Sequence, residues 1–374
     1  MKKKSTWLPA VVAPVVVAGA VAAPLAASAA TPSPATTGSH PTAAQVLASV
    51  AHSDTLSYSG RISQTSDLGL PSLPSTSGSS GASSAQSGAS DVLDLLTASH
   101  EARVYVDGRS KARVQVLDQL AERDVIRNGR DVWTWDSKAD KAVHVTLPSS
   151  AAAAAANGTD TGSASPADIA ARAIAGITPS TRVGTPTTTS IAGHAAWQVR
   201  LTPKSSSTLV HDVVIAIDKS TGLPLSARID ARGQSTAAVS VRFSALSYGA
   251  PKASLFDFTP PSDAKVTTKD LSDAAEHSST AKHPGLVAPG DVRASGAPTP
   301  SVQGDGWSSI VTLPAGTFPK RQLDADGSQL FGQLTKAVDG GRAVQTSLVS
   351  ILITDDGRVL AGAVPVSALE AAAE

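Results

Sequence analysis

The chain has 374 residues, no cysteine, and equal numbers of basic and acidic side chains at 31 each. The missing cysteines exclude disulfides, thiolate metal sites, a cysteine nucleophile and a lipid-modified cysteine behind a signal cleavage site. The balanced charge argues against a nucleic-acid partner, which needs a basic surface. With aromatics at only 3%, an aliphatic interior is predicted.

Lys2, Lys3 and Lys4 precede an apolar run over residues 7–25, and Ala27-Ser28-Ala29 offers small residues at the spacing signal peptidase accepts. This reads as a secretory signal over residues 1–29. A retained membrane anchor is the competing reading; Pro14, Pro24 and the Ala-Ser-Ala end favour cleavage. The expected product is secreted, extracytoplasmic, monomeric and, without a cysteine, not lipid-anchored. Residues 30–41 form a flexible leader rich in Pro, Thr and Ser.

Residues 42–53 read as a helix, with Thr42 as N-cap and Val46, Leu47 and Val50 on one face. Residues 58–65 are the first strand. Residues 71–90 are nearly all Ser, Gly, Pro and Ala and read as a mobile insertion, with one helical turn predicted over 91–96. Short alternating strands follow, Ala102 to Val106 and Ala112 to Val116 around an Asp107-Gly108 turn. Asn128-Gly129 is the strongest hairpin dipeptide, and residues 130–135 pair with 141–147. A second helix is predicted over 165–174, opened by Ser165 and Pro166. Ala192-Gly193 then turns into a strand over 195–201, followed by strands at 208–217, 223–231 and 237–248. Phe256-Asp257-Phe258-Thr259-Pro260-Pro261 closes the sheet, since the prolines stop further pairing. Residues 270–300 form a polar linker. The tail, 301–374, carries a strand at 307–313, a helix at 327–338, paired strands at 348–354 and 359–364, and a short final helix at 367–373. An α+β unit of that size would be marginal alone and can instead dock on the main domain.

The residues in this order resemble the LolA/RseB-like superfamily of exported bacterial proteins, including actinobacterial relatives of the lipoprotein carrier. The resemblance covers residues 42–266. It rests on five phrases: the opening helix running into Tyr58-Ser59-Gly60; Asn128-Gly129-Arg130-Asp131-Val132-Trp133-Thr134-Trp135-Asp136; Ile191-Ala192-Gly193-His194-Ala195-Ala196-Trp197-Gln198-Val199; Ile217-Asp218-Lys219-Ser220-Thr221-Gly222-Leu223-Pro224-Leu225; and Phe258-Thr259-Pro260-Pro261-Ser262-Asp263-Ala264-Lys265-Val266. It implies a mainly β, α+β fold: a strongly curved, half-open antiparallel β-barrel over 42–269, of about ten strands, with two helices plugging its concave side. It also implies a cavity for acyl chains of a lipid or lipoprotein or, in the RseB-like branch, the binding of an extracytoplasmic anti-sigma factor or other envelope membrane protein.

No Gly-x-Ser-x-Gly elbow, phosphate loop or dinucleotide fingerprint is present, so no enzyme activity and no cofactor are expected. Asp324-Ala325-Asp326-Gly327 begins like a calcium loop, but its glycine comes two positions early. His144, His194 and His211 lie on strands but lack metal-ligand spacing, so no metal site is expected. The candidate ligand-binding residues are the apolar faces of the alternating strands: Val104, Val106, Val114 and Val116; Val143 and Val145; Trp197, Val199 and Leu201; Val213, Ile215 and Ile217. Trp133 and Trp135 share one face of their strand and line either the same cavity or an ordinary packed core. A curved sheet buries its concave face only if something fills it. The alternation leaves open whether cargo or helices do so.

Overall fold

Period-two alternation becomes, in the computed structural model, an open sheet of thirteen strands followed by a second sheet of six, both counted among the described residues. The structure describes residues 40–69, 99–117, 121–149, 179–271, 300–315 and 335–374. The expected signal, the leader up to residue 39, the 71–90 insertion, the helical turn at 91–96, the helix at 165–174, the calcium-like Asp324 to Gly327 stretch and nearly all of the 270–300 linker lie outside them.

The first sheet opens with β1 (Ser57–Ser66), β2 (His100–Asp107), β3 (Lys111–Leu117), β4 (Glu122–Asn128), β5 (Asp131–Asp136) and β6 (Lys141–Thr146), an antiparallel meander. It continues with β7 (Thr181–Val183), β8 (Thr187–Ile191), β9 (His194–Pro203), β10 (Val210–Asp218), β11 (Pro224–Ala231), β12 (Ala237–Tyr248) and β13 (Lys265–Asp270). Spatial order runs β13-β6-β5-β4-β3-β2-β1-β12-β11-β10-β9-β7, with β8 also on β9. The β1–β12 pair therefore joins two meanders, and among the described residues the sheet does not close, ending at β13 and β7. All pairs are antiparallel except β13, which runs parallel to β6.

Helix α1 (Ala43–Ser49) begins where the sequence places it. Thr42 Oγ1 accepts from Gln45 N at 3.2 Å, and Gln45 Oε1 accepts from Thr42 N at 2.8 Å, a reciprocal capping box. The α-helix is shorter than expected, passing into a 3-10 segment over Val50–Thr55. Its Val46 enters a buried cluster with Val199, Leu201, Val213 and Ile217. One helix thus fills one face of β9 and β10.

Two expectations about the closing segment fail. Phe256 to Pro261, expected to close the sheet, does not pair with it: a 3-10 turn over Ala253–Leu255 leads into it, and it crosses the face of β3–β5 as a strap. Pairing resumes beyond the prolines, in β13. The strand total also exceeds ten, because β4, β7, β8 and β13 add to those expected. These are short or carry charges on both faces, which masks their alternation.

The second sheet comprises β14 (Ser301–Gln303), β15 (Ile310–Leu313), β16 (Lys336–Val338), β17 (Gly341–Gln345), β18 (Ser350–Thr354) and β19 (Val359–Gly362), ordered β14-β15-β19-β18-β17-β16. Residues 336–338, expected to end a helix, are strand β16, since they pair back on β17 through a tight turn. Helix α2 (Val366–Ala373) buries Leu369 against Ile310, Leu352 and Leu360. This sheet docks on the first. Ala363 O accepts from Leu209 N and Thr208 Oγ1, both at 2.8 Å, and Trp307 Nε1 donates to Thr181 Oγ1 at 2.6 Å. Leu348 joins the cluster around Val46, so the tail shares a core with the main sheet.

Candidate functional site

Strand register decides which side chains share a face, because directly opposed residues project to the same side. Val104, Val114, Val125, Thr134 and Val143 are successive partners from β2 to β6. The next row runs Val106, Ala112, Arg127, Val132 and Val145. Followed through β1 and β12, these rows continue onto Ile215 and Ile217, the face against which α1 packs. We call it the helix face.

Twelve of the fourteen sequence candidates lie on it, in two environments. Val199, Leu201, Val213 and Ile217 are buried beneath α1, with Trp197 and Ile215 packed alongside. Lys219 Nζ sits 3.9 Å above the Trp197 ring, in cation–π contact. This half of the face is filled. In the other half Val104 and Val116 are buried, while Val106, Val114, Val143 and Val145 are half-buried. Val125 and Val132 belong to the same aliphatic strip and were missed. The Asn128-Gly129 hairpin could have found them, since a two-residue turn there pairs Arg127 with Val132 and Val125 with Thr134.

Trp133 and Trp135 project from the opposite face. Phe258 of the strap lies 5.5 Å from Trp133 and 6.2 Å from Trp135, ring centre to ring centre, and His144 stacks on Trp133 at 4.3 Å. Arg113 Nη1 donates to Leu255 O at 3.3 Å, and Asn128 Nδ2 donates to Asp257 Oδ1 at 3.1 Å. The two tryptophans are therefore not gathered with the twelve. Beneath the strap, Asp124 is 2% exposed and paired with Arg113. Burial raises its carboxyl to about 6; the Arg113 charge opposes this and the neighbouring Glu122 adds to it.

The three histidines expected on strands each meet a different aspartate: His144 with Asp131 at 2.8 Å, His194 with Asp218 at 3.7 Å and His211 with Asp212 at 3.0 Å. Among the described residues no three His, Asp or Glu side chains gather as a metal site. Asp218 holds a turn. Its Oδ1 accepts from Ser220 N at 2.8 Å, Ser220 Oγ at 2.5 Å and Thr221 N at 2.9 Å. Burial alone would raise this carboxyl, but those donors outweigh it and hold it below the usual range. Ser220 donates to a carboxylate rather than to an imidazole, so this cluster organises backbone and does not activate a nucleophile.

No family model and no curated protein sequence matches the chain. Among solved structures it is similar to the MucA/MucB complex of Pseudomonas aeruginosa, at 15% identity over 88% of this chain and 95% of that one, with TM-score 0.41. It is similar to an uncharacterized conserved protein from Thermus thermophilus, at 10% identity over 60% and 98%, with TM-score 0.34. A LolA superfamily protein from Nitrosomonas europaea matches at 13% identity over 58% and 98%, with TM-score 0.24.

Proposed function

We propose that the chain is an exported, non-catalytic binding protein, a carrier or chaperone that shields acyl chains of a lipid or lipoprotein on the valine strip of β2–β6. One observation carries this reading: a single face is continuous across the sheet, yet α1 covers the β9–β10 half while the valines of β2–β6 stay largely half-buried. The sheet, unclosed between β13 and β7, would curve around this strip as a half-open barrel. Five strands about 4.8 Å apart make a strip about 19 Å wide, the scale of a long acyl chain. Each methylene buried there contributes about 0.8 kcal/mol, so tight binding needs no polar contact to the chain itself.

Native mass spectrometry before and after delipidation, with titration of dansyl-undecanoic acid, tests the reading. We expect co-purifying lipid and saturable probe binding. Val125→Asn with Val143→Asn should weaken the probe by about tenfold or more, while Trp133→Leu, on the opposite face, should leave it unchanged. A chain that neither carries lipid nor takes up the probe would end this proposal.

A second reading has its own observation. Val302 and Val311 are cross-strand partners at the β14 edge of the second sheet, 46% and 39% exposed. Such a pair suits an RseB-like regulatory module that binds an extracytoplasmic anti-sigma factor or another envelope protein. Crosslinking in membrane extracts should then capture a protein that Val302→Glu/Val311→Glu loses. Equal capture by both forms would remove this role.

A further inference from the structure

We propose that the strip selects amphiphiles with an anionic headgroup, a glycerophospholipid of the phosphatidylglycerol type, through a cationic border on the helix face; this rests on the acyl-binding reading above. The observation is a segregation of charge that the neutral composition conceals. On the helix face of β2–β6 and β13 stand Arg123, Arg127, Lys141, Lys265 and Lys269, with Asp136 the one acid. The opposite face of the same strands carries six acids, Glu101, Asp107, Glu122, Asp124, Asp131 and Asp270. Against them stand Arg103, Lys111 and Arg113.

The cations are placed where a headgroup would meet the end of a bound chain. Arg123 and Arg127 flank Val125 on β4, Lys141 flanks Val143 on β6, and Lys265 and Lys269 flank Thr267 on β13. Lys141 and Lys265 are directly opposed, about 5 Å apart, inside the screening length of about 8 Å at physiological ionic strength, so these two charges act together on one anion. Arg123 stands in the same cross-strand row, and Arg127 and Lys269 border the other side of the valines, about 13 Å along the strands. The single acid, Asp136, stands directly opposite Arg123 and Lys141, and its Oδ1 accepts from Lys138 N at 2.9 Å and Ala139 N at 3.0 Å, while Arg127 Nε donates to Gly129 O at 3.1 Å. Edge protection explains lysines on β13, since lysines blunt an edge strand against pairing. It does not explain Arg123 and Arg127 on β4, which lies inside the sheet. A nucleic-acid ligand is disfavoured because the aromatic platforms it would stack on, Trp133 and Trp135, lie on the other face.

The test compares dioctanoyl phosphatidylglycerol with dioctanoyl phosphatidylcholine, both below their micelle concentrations, by displacement of dansyl-undecanoic acid from the full chain. Inorganic phosphate is a third arm. We expect the anionic lipid to bind about tenfold more tightly, the preference to shrink as salt rises, and phosphate alone not to displace the probe. Lys141→Gln/Lys265→Gln, at exposed positions, and separately Arg127→Gln should each cut the preference for phosphatidylglycerol over phosphatidylcholine by about threefold or more. Two equal lipid affinities would overturn the headgroup inference and leave acyl binding standing. Failure of both lipids and the probe would remove the underlying reading. A preference that survives both variants would overturn the assignment to these residues.

Discussion

Gly222→Ala is expected to destabilise the fold by about 3 kcal/mol. Gly222 has φ +74°, and a Cβ built on it would lie 2.1 Å from Ser49 O and 2.7 Å from Ser49 C. The obstructing atoms are backbone at the end of α1, not the tip of a flexible side chain. The turn cannot swing away either. Asp218 Oδ1 is fixed by three donors from Ser220 and Thr221, and Gly222 N donates to Asp218 O at 3.0 Å. The methyl group would therefore push α1 outward and draw Val46 from the cluster it shares with Val199, Val213 and Ile217. Gly129 is the control: φ is +63°, and a Cβ added there would meet nothing within 4 Å. Gly129→Ala should cost only the left-handed backbone penalty of about 1 kcal/mol. Urea unfolding of the two variants measures the difference, and equal midpoints would show that α1 is not seated against this turn.

Much of this architecture was legible because turn chemistry and alternation are local. Asp107-Gly108, Asn128-Gly129 and Ala192-Gly193 sit where the hairpins close, and Thr42 caps α1. What escaped needs register. Successive residues of a strand project to opposite faces, so Trp133 and Val132 are neighbours in sequence and separated in space. Trp133 and Trp135 looked interchangeable with Val143 and Val145 as apolar alternators. Only the pairing of Trp133 with His144 and of Val132 with Val145 divides them. The charge segregation was hidden the same way: Arg123 and Asp124 cancel in composition but face opposite sides. The strap escaped because its contact is not along a strand: Phe258 meets Trp133 and Trp135 over the face of the sheet.

The Arg113–Asp124 pair beneath that strap sets a pH-dependent stability. Arg113→Met removes the partner of a carboxylate that is 2% exposed. Stranding such a charge costs about 3 kcal/mol or more at neutral pH. The variant also loses the donor to Leu255 O that helps hold the strap. The cost should depend on pH in a definite direction. Asp124 has a folded-state pKa raised to about 6, above its unfolded value of about 3.9. Between those values the native state binds the extra proton, so stability rises as pH falls through about 6 and is lost as pH climbs past it. Removing the Arg113 charge pushes the folded-state value higher still. Lowering the pH from 7.5 to 5 should therefore narrow the gap between Arg113→Met and the wild type by about 1 kcal/mol or more. Adding Asp124→Asn, which removes the stranded charge, should recover part of the loss at pH 7.5 and flatten the response. Urea unfolding at both pH values decides it. A gap that stays constant with pH, or a double variant no more stable than the single one, would mean that Asp124 is not the buried charge Arg113 offsets.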